Sequence, residues 1–229
     1  MIWTKEALKH CPRKLAGNPP NIAWMAERIQ PGDLFLDVGA SVGALCIATL
    51  RTVPGARCVA FEPQTRAADV LEEMAAANGV DVELHRLAVS YGPGEAVLKY
   101  PVEPSISGWA SIADRPNFYE AMNQRAESLT EPVVVTTLDT WWEGAGRPDV
   151  QLVKVDTQGS EVDVLIGGKE LFQTVPYLFI EIHEPTLAEH GRTVDELIRH
   201  ITGFQYTYKK FRINLQCEKR AGWTVHTRK

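Results

Sequence analysis

Short apolar runs, each followed by a stretch with helical spacing, recur through this chain and leave few folds open to it. LFLDV (34–38), RCVAFE (57–62), VQLVKVD (150–156) and YLFIEIH (177–183) read as strands buried on both faces. After the first run, Val42, Leu45, Cys46 and Thr49 are spaced as on a helix, so DVGASVG (37–43) is a glycine loop joining strand to helix. TRAADVLEEMAAAN (65–78) turns Val70, Leu71 and Met74 to one face and stops at Asn78-Gly79. VELHRLAV (82–89) reads as a third strand, and a helix is expected from Ser160 to about Phe172. A further helix over 193–202 opens with a Thr193-x-x-Glu196 capping box and carries Val194, Leu197, Ile198 and Ile201 on one side. FQYTYKKF and WTVHTRK read as two closing antiparallel strands.

Alternation of this kind implies a doubly wound α/β fold with a mostly parallel sheet, in one domain over 1–229. Residues 1–30 are expected to form an N-terminal helical cap. Residues 91–132, with a YGPG turn and poor periodicity, form an irregular lid or substrate insertion, although EAVLKY and VVVTTL (133–138) suit strands. Ligands of such sheets bind beyond the carboxyl ends of the strands. That rim gathers Asp37–Gly43, Glu62, Leu87–Ala88, Asp156 and Glu181–His183.

The glycine loop lacks G-x-G-x-x-G and has no Gly-Lys-Ser/Thr, the two devices that bring backbone amides against phosphates. It offers Asp37 instead, a carboxylate that would repel phosphate and assist an amino or sulfonium group. Glu62 closes the second strand, where an acid can accept from both hydroxyls of a ribose. Together they favour a nucleoside without phosphates, and S-adenosylmethionine is the common candidate.

The stretches DLFLDVGASVGALCIATL, VAFEPQTRAADVLEEMAAANG, VTTLDTWW, LVKVDTQGSEVDVLIGG and FIEIHEP, in this order over about 31–185, resemble the FkbM family of S-adenosylmethionine-dependent methyltransferases. The resemblance implies a class I methyltransferase fold, a Rossmann-like seven-stranded sheet whose last strand is antiparallel. It implies that Asp37, Gly39, Ala40, Ser41, Gly43, Glu62, Pro63 and Asp156 hold the cofactor, with Leu87 and Ala88 beside the adenine. It also points to O-methylation of natural products or sugars. Two positions depart from the family pattern: Ser41 replaces an asparagine, and Gln158 replaces a carboxylate in Asp156-Thr157-Gln158-Gly159-Ser160-Glu161.

Methyl transfer is an in-line displacement, so catalysis needs alignment and a group that removes the acceptor's proton. Asp156 is the first candidate. Glu181 and His183, two apart on a strand, would share a face, and a histidine near neutral beside an acid suits a general base. The same three residues could hold a divalent cation, which Gln158 disfavours by removing a carboxylate. Lys154, mid-strand, is expected to pair with a nearby acid such as Glu161. Trp141 and Trp142 read as core; Trp109, Phe118 and Tyr119 suit either packing or an aromatic wall for a ring-shaped substrate.

Charge and composition narrow the partners. A net charge of −5 gives no chain-wide footprint for nucleic acid or an anionic membrane, and the basic C-terminal residues read as a solvated edge. No run approaches the length of a membrane span and MIWTKEALKHCPRK holds no apolar h-region, so neither membrane spanning nor secretion is expected. Four cysteines without metal spacing fit a reducing cytoplasm. The expected partner is a small-molecule substrate, and no feature fixes an oligomeric state. N-methylation, a non-catalytic cofactor-binding module and, most weakly, a nicotinamide dehydrogenase are the competing readings.

Overall fold

The computed structural model describes residues 19–102, 110–112, 128–220 and 222. Four of its strands lie where the four buried apolar runs place them. β1 (Leu34–Val38), buried at every position, runs parallel to β2 (Arg57–Phe61) on one side and β7 (Leu152–Val155) on the other. β8 (Tyr177–Glu181) extends the parallel set beyond β7. Burial on both faces is what selects unbroken apolar runs here, each core side chain contributing roughly 1.5–3 kcal/mol.

VELHRLAV does not form one strand. Its first half, β3 (Glu83–His85), pairs with β2, while β4 (Ala88–Val89) leaves the sheet and pairs with β6 (Ser128–Thr136). β6 in turn pairs antiparallel with β5 (Gly94–Pro101), making a three-stranded sheet in the order β4-β6-β5. Ala88, Leu98, Val133 and Val135 form its small apolar core. VVVTTL is therefore the end of a longer strand that stops at Thr136. The rest of the insertion, 103–109 and 113–127, with Trp109, Phe118 and Tyr119, lies outside the described residues.

The chain closes with β9 (Tyr206–Phe211) and β10 (Asn214–Lys219). β10 lies antiparallel between β8 and β9. The main sheet thus has the order β3-β2-β1-β7-β8-β10-β9. The closing hairpin is thus FQYTYKKF with NLQCEK, because the two-residue turn at Arg212–Ile213 returns the chain at once; WTVHTRK lies outside the described residues.

Helices cover the sheet. α1 (Pro19–Ala26) sets Trp24 and Met25 in one core with Ile47 and Leu50 of α2 (Ala44–Thr52); residues 1–18 of the expected cap lie outside the described residues. α3 (Thr65–Asn78) ends on Gly79 in the left-handed region, as its Asn-Gly signal requires. α4 (Leu138–Gly144) buries Trp142 and half-buries Trp141 against the core. The helix expected from Ser160 to Phe172 breaks into α5 (Glu161–Gly167) and α6 (Leu171–Thr174). At the break a Cβ on Gly167 would stand 2.1 Å from the Ser90 carbonyl oxygen, so glycine is what lets the end of β4 approach. α7 (Glu184–Glu189) and α8 (Val194–Gly203) follow, the latter capped by the Thr193 side chain accepting from the Glu196 amide.

Candidate functional site

The glycine loop leaves β1 and turns sharply over the ends of its neighbours. The Gly39 and Ala40 amides both donate to the Phe61 carbonyl, tying the loop to β2. Gly39 has φ +76, and a Cβ there would lie 2.0 Å from the Asp156 carbonyl oxygen. Close passage of two strand ends, as well as backbone angle, therefore demands glycine. Gly43 caps α2 with φ +75, packed so that a Cβ would meet Leu71 and Ile47.

Glu62 is 6% exposed and is gripped from both sides. Its Oε2 accepts from the Ser41 amide at 2.7 Å and its Oε1 from the Gln64 amide at 2.8 Å. Burial raises its pKa to about 7, against the lowering effect of these amides and of Lys154. Each oxygen takes one backbone hydrogen bond and so keeps further acceptor capacity. The carboxylate lies on the wall of an open cleft at the carboxyl ends of the strands.

Gly39, Ser41, Glu62, Pro63, Leu87, Ala88 and Asp156 all line that cleft. Asp37, Ala40 and Gly43 are not on its wall. Asp37, only 1% exposed, faces Lys154 across the β1–β7 register, and its Oδ1 lies 2.8 Å from Nζ. The Lys154 ammonium also donates to the Gly39 carbonyl at 2.7 Å and stands 3.7 Å from Asp156 Oδ2. Burial would strip its proton, but the charges of Asp37 and Asp156 hold the amine protonated well above its ordinary range. Lys154 therefore pairs with Asp37 rather than with Glu161. The reason is register, since β1 and β7 set the two residues side by side. The charge of Asp37 is spent beneath the loop, so it does not present itself to a ligand as the sequence suggested.

The Asp156–Glu161 segment builds the opposite wall. Asp156, Thr157, Gln158 and Ser160 line the cleft. Thr157 Oγ1 and Ser160 Oγ are buried and have no hydrogen-bond partner among the described residues. Glu161, fully buried, accepts from the Gly159 amide and lies 3.1 Å from His183 Nδ1. His183 is not on β8, which ends at Glu181; it is the residue preceding α7. The chain still returns it to Glu181, with Nε2 3.4 Å from Glu181 Oε1 and 3.7 Å from Asp156 Oδ1. Burial lowers the basicity of the ring, but the hydrogen bonds to Glu161 and Glu181 and the charge of Asp156 outweigh it and raise its pKa to about 9. The expectation of a histidine near neutral fails for that reason: three carboxylates surround one imidazole. Neither His183 nor Glu181 lines the cleft; both stand behind Asp156. Among the described residues, Asp156, Glu181 and His183 form a group whose ligand atoms lie within 4.8 Å of one another, compact enough for a cation.

Several cleft residues carry no signal in the sequence. Phe61, Leu98, Ala110, Ser111 and Ile112 complete the wall. Ser111 reaches it through a bridge to Lys99 of β5, and its hydroxyl bonds the Gln158 carbonyl and lies 3.2 Å from His190 Nε2. Leu98 and residues 110–112 thus bring part of the insertion to the cleft wall.

Seven strands in this order with one antiparallel member, and a buried carboxylate in a cleft at the carboxyl ends of the strands, define the class I methyltransferase architecture. The solved methyltransferase FkbM from Methylobacillus flagellatus shares the fold with TM-score 0.55 at 16% identity, over 83% of this chain and 44% of that one. Precorrin-6y C5,15-methyltransferase from Geobacter metallireducens aligns at TM-score 0.50 and 11% identity, over 92% and 93%. The methyltransferase FkbM domain model matches residues 37–210, and the chain belongs to that family. Two relatives are each 28% identical: the 2-O-methyltransferase NoeI of Sinorhizobium fredii, over 70% of this chain and 67% of NoeI, and the hexuronic acid methyltransferase AglP of Haloferax volcanii, over 75% and 64%. The chain thus spans about two thirds of the length of either relative.

Proposed function

We propose that this chain transfers a methyl group from S-adenosylmethionine to a hydroxyl oxygen of a small molecule, a sugar or other natural product. The observation that carries the reading is Glu62. A carboxylate buried in a cleft, braced by two backbone amides and keeping acceptor capacity on both oxygens, suits the paired hydroxyls of a ribose. Gly39, Ser41 and Pro63 would hold the nucleoside on this side, and Leu87 and Ala88 would give the adenine an apolar bed. Thr157 Oγ1 and Ser160 Oγ, buried without hydrogen-bond partners among the described residues, suit the polar amino-acid end of the cofactor or the acceptor. Asp37, Ala40 and Gly43 act through the shape of the loop.

S-adenosylmethionine supplies a methyl group on a sulfonium centre, open to in-line attack by an oxygen. The protein's share is to align the acceptor, keep water out and take up its proton. Asp156 is the proton acceptor in this reading, because it alone of the three catalytic candidates lies on the cleft wall. The Gln158 amide donates to it, and His183, which Glu181 faces, stands 3.7 Å away. The names of NoeI and AglP support an oxygen and a sugar-type acceptor. Buried free Cys46, Cys58 and Cys217 support a reducing compartment, the cytoplasm.

The test is a transfer assay with isotope-labelled methyl donor against sugars, hexuronic acids and small-molecule extracts, read by mass spectrometry. The expected product carries the label as an ether that survives mild alkali. Label recovered on nitrogen, or as an alkali-labile ester, would overturn the oxygen-ether assignment.

A further inference from the structure

The group formed by Asp156, Glu181 and His183 has the dimensions of a cation site, yet a side chain of the same protein stands between two of its members. The Gln158 amide nitrogen lies 3.0 Å from Asp156 Oδ1 and 2.8 Å from His183 Nε2. Those two atoms are 3.7 Å apart, so a divalent ion at about 2.0–2.2 Å from each, on the side of the pair that the amide occupies, would collide with the amide. Nitrogen rather than oxygen belongs at that position, because an amide oxygen would face the Asp156 carboxylate.

Gln158 is held there at some cost. It is 5% exposed and has φ +55, a left-handed conformation that non-glycine residues rarely adopt. Gly159 follows at φ +114, and its amide is fixed by Glu161. This tight turn brings the amide back onto Asp156. With a neutral His183 the amide donates to both partners. With a protonated ring the Nε2 hydrogen has Glu181 to turn to, and the amide keeps Asp156. In both forms the amide fills the gap.

We propose that Gln158 is a positioning residue that occupies the place of a divalent cation beside Asp156 and His183, donating its amide to Asp156, closing the group to metal on that side and making methyl transfer metal-independent. The catalytic part of this statement rests on Asp156 as proton acceptor; the exclusion of metal does not. Wild-type, Gln158→Glu and Gln158→Gly proteins are to be titrated with Mn²⁺ alone and followed by electron paramagnetic resonance. Calorimetry with S-adenosylhomocysteine and thermal melts are run on the same samples. The glycine variant removes the amide while suiting the backbone angle, which keeps the fold. Wild type should leave Mn²⁺ free, Gln158→Gly should bind it more tightly, and Gln158→Glu at least tenfold more tightly than wild type. Wild-type binding equal to or tighter than that of either variant, or a folded Gln158→Glu that ignores Mn²⁺, would overturn the proposal. Loss of S-adenosylhomocysteine binding throughout would instead count against the cofactor reading and leave the metal result standing.

Discussion

Replacing Glu62 with alanine removes the group on which the nucleoside reading depends, and the structure gives sizes to the consequences. Hydrogen bonds to a charged acceptor contribute about 1.5–3 kcal/mol each, so losing two should weaken the cofactor by at least about 3 kcal/mol, more than roughly 100-fold in Kd. The fold should survive. The Ser41 and Gln64 amides lose their acceptor, costing about 1–3 kcal/mol each. Against that, a carboxyl raised from 4.5 to about 7 disfavours the folded state by about 3 kcal/mol once both states are ionised, and the variant sheds this penalty. The sign of the pH dependence follows. Between about 4.5 and about 7 the folded protein holds a proton that the unfolded chain has released, so stability without ligand falls as pH rises through that window. The variant should lack that slope. In wild type, cofactor affinity should fall as pH drops below about 7 and the carboxylate is protonated. Calorimetry with S-adenosylhomocysteine across pH, beside thermal melts, reads all three effects. A folded Glu62→Ala protein that binds within about threefold of wild type would refute the reasoning.

Three further outcomes are expected. Asp156→Asn should lower turnover by about 10²–10⁴-fold while keeping S-adenosylhomocysteine affinity within about tenfold; near-wild-type turnover on the identified acceptor would remove Asp156 as proton acceptor. Lys154→Met leaves Asp37 buried without its counter-charge and should cost about 3–5 kcal/mol in denaturant unfolding, and an unchanged midpoint would contradict the ion pair's structural role. Gly39→Ala drives a methyl into the Asp156 carbonyl at a backbone angle hostile to alanine, so a loss of at least about 2 kcal/mol is expected; equal stability would show that the loop relaxes freely.

Much of this was legible because the physics was local. LFLDV and TRAADVLEEMAAAN coincide with β1 and α3 to the residue, since two-sided burial writes an unbroken apolar run and Asn-Gly writes a helix end. Glu62 was legible for a similar reason, as the first residue after an apolar strand. What depended on distant partners was not. VELHRLAV contains no mark at Arg86–Leu87 to say that Ala88 will pair with Val135, far along the chain. Lys154 finds Asp37 only through the register of β1 against β7, which neither strand reveals alone. His183 looked like a base beside one acid because Glu161 reaches it from another helix start, and the surrounding carboxylates together raise its pKa. Gln158 read as a lost carboxylate; only the left-handed turn shows its amide placed between Asp156 and His183.

The central claim is that the cleft holds a nucleoside without phosphates, and one calorimetric comparison addresses it directly. S-adenosylhomocysteine and NAD are titrated separately into the wild-type protein at pH 8, where Glu62 is ionised. Saturable one-to-one binding of S-adenosylhomocysteine with no heat from NAD is the predicted result. Binding of NAD without S-adenosylhomocysteine would contradict it.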